Sequence, residues 1–210
     1  QFGEDVAEET ARLLNLYLNY NGRITAEMLD ANTYNIESGE WAQVATEYKL
    51  LELDALRLQE VINKKGGQYA DAYYQLILFP IQAMSNLYDM YYAQAMNHAL
   101  YNAGDPAAND WADKVEACFA RDKFLTNQYN NVMADGKWKD MMIQKHIGYR
   151  SWNDNFPEDM LPRIFRIEDT KPLTDGFTFS ADAGYVSIEA PHIYAANDSA
   201  EGKWTLIEDM

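Results

Sequence analysis

The spacing of apolar residues over the first two thirds of the chain predicts a series of amphipathic helices. The clearest covers residues 40–65, where an apolar side chain recurs every three or four positions and two glycines follow. The same spacing predicts helices over residues 5–20 and 69–103, and another that starts at Pro106 and runs to about residue 133. Long helices joined by short turns are typical of an antiparallel bundle of four or more helices.

Two features interrupt this regular pattern. Pro80 lies inside the helix over residues 69–103, and we expect a kink there because proline removes a backbone donor and clashes with the preceding turn. Residues 25–30 are predicted to form a short helix between the first two long ones. The bundle is therefore expected to contain one bent helix and one short connecting helix.

The hydrophobic period changes in the last third of the chain. Residues 137–170 contain glycines, prolines and many aromatic residues, but only short helical patterns. From Phe177 onward apolar and polar residues alternate, as they do in strands. We therefore predict a mainly α fold, with a helical bundle domain over residues 1–170 and a short C-terminal β segment. Residues 171–210 are expected to hold a linker and the first strands of an incomplete β domain, since so short a piece cannot build its own core.

Composition narrows the classes of partner. The chain has 210 residues, and its 17 Lys and Arg against 33 Asp and Glu give a net charge of −16. A surface this acidic repels phosphates and anionic headgroups, so neither nucleic acid nor membrane is expected as a partner. Cys118 is the single cysteine, which excludes an intrachain disulfide and a thiolate metal cage. The first residue is Gln1 rather than methionine, which indicates a processed chain or an excised fragment.

Residues that usually carry chemistry are scattered. The one Glu-x-x-His spacing, at residues 189–192, contains a proline and has strand-like neighbours, so no metal site is predicted. His98 lies on an apolar helix face and is interpreted as a core histidine. Acids such as Glu52 and Glu60 are interpreted as a solvated helix face, and no nucleophile elbow or phosphate loop occurs. The sequence thus predicts no catalytic, cofactor-binding or metal-binding residue, and no cofactor.

Aromatic residues are the remaining signal. Tyr88, Tyr91 and Tyr92 share one predicted helix, while Tyr149 and Trp152 lie in the segment that follows the bundle. Such side chains suit both protein interfaces and sugar faces, although packing within the bundle is the favoured interpretation. The three tyrosines span more of the helix than one core face, so at least one is expected to meet solvent or a partner.

Several segments, in this order and spacing, resemble glycoside hydrolase family 115, the xylan α-glucuronidases. They are residues 78–91 (LFPIQAMSNLYDMY), 93–97 (AQAMN), 125–130 (LTNQYN), 136–139 (GKWK), Met142, 146–149 (HIGY) with Trp152, and 185–190 (YVSIEA) with His192.

The resemblance implies a place within a larger enzyme. Members of the family have an α/β domain, a catalytic (β/α)8 barrel, a helical domain and a β-sandwich, and this chain is similar to the helical domain plus the first sandwich strands. The family's catalytic carboxylates belong to the barrel, so no catalytic residue is carried over. Candidate interdomain or cleft-rim contacts are Tyr88, Tyr91, Tyr92, His146, Tyr149 and Trp152.

The implied function is that of a non-catalytic accessory domain. The parent enzyme would hydrolyse α-1,2-linked (4-O-methyl)glucuronic acid from xylan in the periplasm or outside the cell. The partners would be the missing barrel and β-sandwich domains of the same polypeptide, xylan-type polysaccharide for the parent enzyme, and a second copy in a homodimer. The alternatives are a stand-alone helical carbohydrate-binding module or a protein-interaction module.

Overall fold

Helices dominate the part of the chain that the structure, a computed structural model, describes: residues 2–65, 67–148 and 158–167. The described residues contain no strand, which confirms the mainly α fold. The β segment predicted within residues 171–210 lies outside them. The α-helices of the described residues are α1 (Glu4–Asn21), α2 (Glu40–Asn63), α3 (Ala70–Tyr73), α4 (Phe79–Asn102) and α5 (Ala108–Asn127).

The four long helices, α1, α2, α4 and α5, pack one on the next in antiparallel order. Side-chain contacts show this order, because the start of each helix meets the end of its neighbour. The diagnostic pairs are Asp5 with Lys65 and Tyr20 with Tyr48 between α1 and α2, Trp41 with Tyr92 and Glu52 with Ser85 between α2 and α4, and Asn86 with Cys118 and Asn97 with Ala108 between α4 and α5.

Helix α4 is the central element of the bundle, since it contacts both α2 and α5. A helix between two neighbours buries more than one face, and apolar residues then surround its axis. Tyr88 is fully buried, with its ring stacked 4.0 Å from that of Tyr48, and Tyr91 is 7% exposed. Both fit inside the bundle because α4 has two buried faces, while Tyr92 keeps partial exposure.

The interruption expected at Pro80 takes the form of a π-helical turn. Tyr74–Leu78 forms this turn between α3 and α4, and the backbone N–H of Phe79 donates to the carbonyl of Tyr74 five residues earlier. Pro80 is the second residue of α4 and directly follows the π turn, which is a local adjustment by which a helix accommodates a proline. A second π turn, Gln128–Val132, follows α5, so that helix ends before the predicted residue 133.

An extended segment, residues 163–167, lies across α4 and α5 and is held by amide side chains. Asn97 donates to the carbonyl of Phe165 (2.7 Å) and accepts from its N–H (2.9 Å). Asn109 makes the same pair of bonds with Ile167, at 2.7 and 2.8 Å. Each asparagine therefore satisfies a backbone donor and acceptor as a neighbouring strand would, and the path of the chain is fixed as far as Ile167.

Glu52 lies inside the bundle, so its assignment to a solvated helix face was wrong. Its carboxylate is 2% exposed and accepts hydrogen bonds from Ser85 (2.8 Å) and Lys49 (3.2 Å), besides a salt bridge with Arg121. Burial raises the pKa of Glu52, but Arg121, Ser85 and Lys49 together hold it below its usual value. The acid is therefore an ionised link between α2, α4 and α5.

Removing the Tyr88 hydroxyl should change stability by less than about 0.5 kcal/mol, because that buried oxygen makes no hydrogen bond of good geometry and lies near the hydroxyls of Tyr34 and Tyr48 alone among the described residues. Tyr73 is the matched control: its ring is also fully buried, but its hydroxyl donates to the carbonyl of Ala55 at 2.9 Å. Tyr73→Phe should cost about 1 kcal/mol. Urea unfolding of Tyr88→Phe and Tyr73→Phe measures both changes in the free energy of unfolding. An equal loss in the two variants would contradict the difference in hydrogen bonding between these hydroxyls.

Candidate functional site

The candidate site starts from an acid placed in an apolar seam. Asp122 lies on the face of α5 that also carries Val115, Cys118 and Leu125, and it is 4% exposed. A carboxylate in such surroundings must be paired, since an isolated buried charge is strongly unfavourable. Its position therefore requires a donor from another part of the chain.

His146 supplies that donor from the segment that follows the bundle. Its Nε2 lies 3.0 Å from both carboxylate oxygens of Asp122, while its Nδ1 lies 3.1 Å from the carbonyl of Gln144. A second acid, Asp159, accepts from the backbone N–H groups of His146 and Ile147 at 2.6 and 2.8 Å. We call Asp122, His146 and Asp159 the clamp, because they tie residues 146–147 to α5 on one side and to residue 159 on the other.

The neighbours of the clamp require glycine at position 148. Ile147 is fully buried in the main core, and its carbonyl accepts from the N–H of Met160 at 3.1 Å. Gly148 follows with a φ of +75°, and a Cβ there would lie 3.1 Å from the Cβ of Met160. The backbone N–H of Gly148 also hydrogen-bonds to Tyr91, whose pKa is raised by burial and lowered in part by this bond. Residues 146–148 are thus packed on both sides.

The charge of His146 follows from its surroundings. Burial lowers its pKa, but the hydrogen bond and negative charge of Asp122, together with Gln144 and Asp159, raise it to about 9. The ring is therefore an imidazolium at neutral pH, and each of its N–H groups faces an oxygen. A cation held between two carboxylates stabilises the packing of this segment, and no nucleophile lies among the described partners of the clamp.

Within the part of the chain that the structure describes, the clamp is also the grouping whose donor atoms could hold a metal ion. One ligand atom from each of Asp122, His146 and Asp159 lies within 4.8 Å of the others. A metal ion must bind a neutral ring nitrogen, and here both nitrogens already face an oxygen acceptor. A pKa raised to about 9 makes removal of that proton at neutral pH costly. The geometry therefore favours an imidazolium over a metal ligand.

The clamp predicts a stability that falls with rising pH. Because the folded-state pKa of His146, about 9, exceeds its usual 6.5, the stabilisation is complete below pH 6.5 and is lost as pH rises through 9. The ring is 34% exposed, so solvent screening limits the loss to about 1–2 kcal/mol. Urea unfolding from pH 6.5 to 9 should show this decline in the wild type and a flatter profile in His146→Gln. The same decline in both proteins would contradict the assignment.

The described residues among those predicted as interdomain or cleft-rim contacts lie in different surroundings. Tyr88 and Tyr91 are core residues, and Tyr92 packs against Trp41 and Trp111 with partial exposure. His146 belongs to the clamp. Tyr149 and Trp152 lie outside the described residues. His98, interpreted as a core residue, is half-buried at the surface, where its Nε2 meets the carbonyl of Arg163 at 2.9 Å.

Sequence reasoning missed Asp122 and Asp159. Asp122 carries a usable signal, because it interrupts the apolar series Val115, Cys118 and Leu125 at a heptad position. An acid at such a position predicts a buried partner rather than a solvated face. Asp159 gives no comparable signal, since it lies in an irregular segment where acids are common.

Comparison with known proteins adds no relative: neither the protein-family models nor the curated proteins searched match this chain. Among the described residues, no helix combines the length and apolar character that a membrane span requires.

Proposed function

We propose that this chain is a non-catalytic helical domain of a multidomain glycoside hydrolase that resembles the family 115 α-glucuronidases. The parent enzyme would remove α-1,2-linked (4-O-methyl)glucuronic acid from xylan, in the periplasm or outside the cell. The observation that supports this proposal is that segments carrying the resemblance, far apart in sequence, pack against one another.

The segments at residues 78–91 and 125–130 contact each other, and the second also bonds to Met142. The ring of Phe79 lies 4.6 Å from that of Tyr129, in a small cluster with Leu125. Asn130 donates to the carbonyl of Met142 and accepts from its N–H, both at 2.9 Å. Residues that carry the resemblance thus pack against and hydrogen-bond to one another.

The clamp links the described residues 146–148 of a further matching segment to α5. His146 pairs with Asp122 on α5, and Gly148 contacts Tyr91 within the segment at residues 78–91. The position of Gly148 is therefore set by the bundle. A segment held in this way suits an accessory domain that packs beside a neighbouring domain.

Activity of the intact parent polypeptide tests the proposal. The full polypeptide should release 4-O-methylglucuronic acid from glucuronoxylan, and residues 1–210 alone should release none above a buffer blank. His146→Ala in the full polypeptide should lower activity, whereas Glu60→Ala on the outer face of α2 should not. Release by the isolated chain, or an intact polypeptide inactive on glucuronoxylan, would overturn the proposal.

A further inference from the structure

A polar groove lies between residues 31–40 and the C-terminal half of α4, away from the clamp. Its volume is about 660 Å³, within the range of small-ligand sites. The floor is formed by Ala95 and Ala99, one helical turn apart, and His98 and Asn102 stand beside them. Two alanines in succession leave a flat strip of helix surface that a ring-shaped ligand can approach closely.

The opposite wall of the groove is held rigid by local hydrogen bonds. Asp30 accepts from the N–H of Asn32 (2.8 Å), Asn35 from the N–H of Ser38 (2.9 Å), and Glu40 from the N–H of Asn35 (2.9 Å). These bonds order a segment that has almost no regular secondary structure. A preordered wall reduces the entropy lost when a ligand binds.

Trp41 anchors this wall to the core. Its indole N–H donates to the carbonyl of Ala31 at 2.9 Å. Its ring also makes a T-shaped contact with that of Tyr34, which lines the groove, with 5.0 Å between the ring centroids. Trp41 itself is fully buried. The shape of the groove is thus coupled to the packing of the bundle.

The chemistry of the lining selects the class of ligand. Among the described residues, neither lysine nor arginine lines the groove, while Glu37 and Glu40 do, so phosphates and uronates are repelled. The side chains of Asn32, Glu37 and Asn102 are exposed, which presents amide donors and carboxylate acceptors to a ligand in the groove. Such groups on a rigid wall match a neutral ligand with many hydroxyl groups.

We propose that this groove binds a short neutral oligosaccharide. The alanine strip would take the flat face of a sugar ring, and the amides and carboxylates would bond its hydroxyl groups. The inference rests on the groove's own geometry and goes beyond the accessory role proposed above, since it gives the domain a ligand of its own.

Titration of the ¹⁵N-labelled chain with xylotetraose and cellotetraose, followed by amide chemical shifts, tests the proposal. At least one of the two should shift signals of residues 32–40 and 95–102 with a Kd on the order of 1 mM. Tri-galacturonic acid, an anionic oligosaccharide, should leave those signals unchanged.

Variants then locate the site. Asn102→Ala should weaken binding about fivefold, the factor expected for one lost hydrogen bond. Asn63→Ala, at the exposed end of α2 and away from the groove, should leave it unchanged. If Asn102→Ala disturbs the end of α4, Asn32→Ala on the opposite wall is the second test and should also weaken binding.

Three results would overturn the proposal: no shift with either neutral oligosaccharide, shifts confined to other surfaces, or equal binding of the anionic oligosaccharide. The two proposals fail separately. If the chain binds a neutral oligosaccharide but the parent polypeptide is inactive on glucuronoxylan, the groove proposal stands and the proposed parent reaction is wrong. If the parent polypeptide is active but the chain shows no chemical-shift changes, the parent reaction stands and the groove proposal is wrong.

Discussion

Replacing Arg121 by methionine should lower the free energy of unfolding by about 3 kcal/mol, because it leaves the buried carboxylate of Glu52 without its main counter-charge. Ser85 and Lys49 remain as partners, so the loss lies near the lower end of the range for a broken buried ion pair. Urea unfolding at pH 7 measures the change.

The double variant Glu52→Gln with Arg121→Met provides the control for this prediction. Glu52→Gln removes the buried charge that Arg121→Met leaves unpaired, so we expect the double variant to regain most of the lost stability. Arg12→Met at the surface, where Arg12 pairs with Glu9 and Asp54, should cost less than about 1 kcal/mol. A loss for Arg121→Met no greater than that for Arg12→Met would show that Glu52 does not depend on Arg121.

Trp41→Ala should cost about 4 kcal/mol, since it empties the space of a fully buried indole and leaves the carbonyl of Ala31 unpaired. Its ring contacts Tyr34, Tyr88 and Tyr92, so the cavity would open at the junction of α2, α4 and the groove wall. Thermal or urea unfolding measures the loss.

Two further variants separate packing from hydrogen bonding at this position. Trp41→Phe keeps an aromatic ring but loses the N–H, and should therefore cost less than Trp41→Ala. Phe124→Ala removes a ring that is 58% exposed and should cost less than about 1 kcal/mol. If Trp41→Ala proved no more costly than Phe124→Ala, the coupling of the groove wall to the core would be wrong.

The helices were predictable because their signal is local. Apolar residues at three- and four-residue spacing, with glycine and proline at the ends, place α2 at Glu40–Asn63 against a predicted 40–65. The first π turn was not predictable, because residues 73–84 are apolar at most positions and the one-residue shift that a π turn adds to the spacing does not show among them. Pro80 indicated the place of the first interruption but not its form.

The buried charges show why local patterns fail for the site. Glu52 lies beside the apolar seam of α2, and whether it meets water or protein depends on Arg121, 69 residues later. His146 and Asp122 are 24 residues apart, and an irregular segment brings them together. Side-chain partners at such separations follow from the packing of the whole bundle, which periodicity along one helix does not contain.

The π turn at Tyr74–Leu78 makes the number of residues there more critical than their identity. Deleting Leu76, which is 50% exposed, would allow a regular α turn and rotate the preceding helix by about 100° relative to α4. Tyr73, fully buried on that helix, would then leave the core and its bond to Ala55. Position 76 should accept a polar side chain and still not tolerate removal, so the length of this turn sets the angular register between α3 and α4.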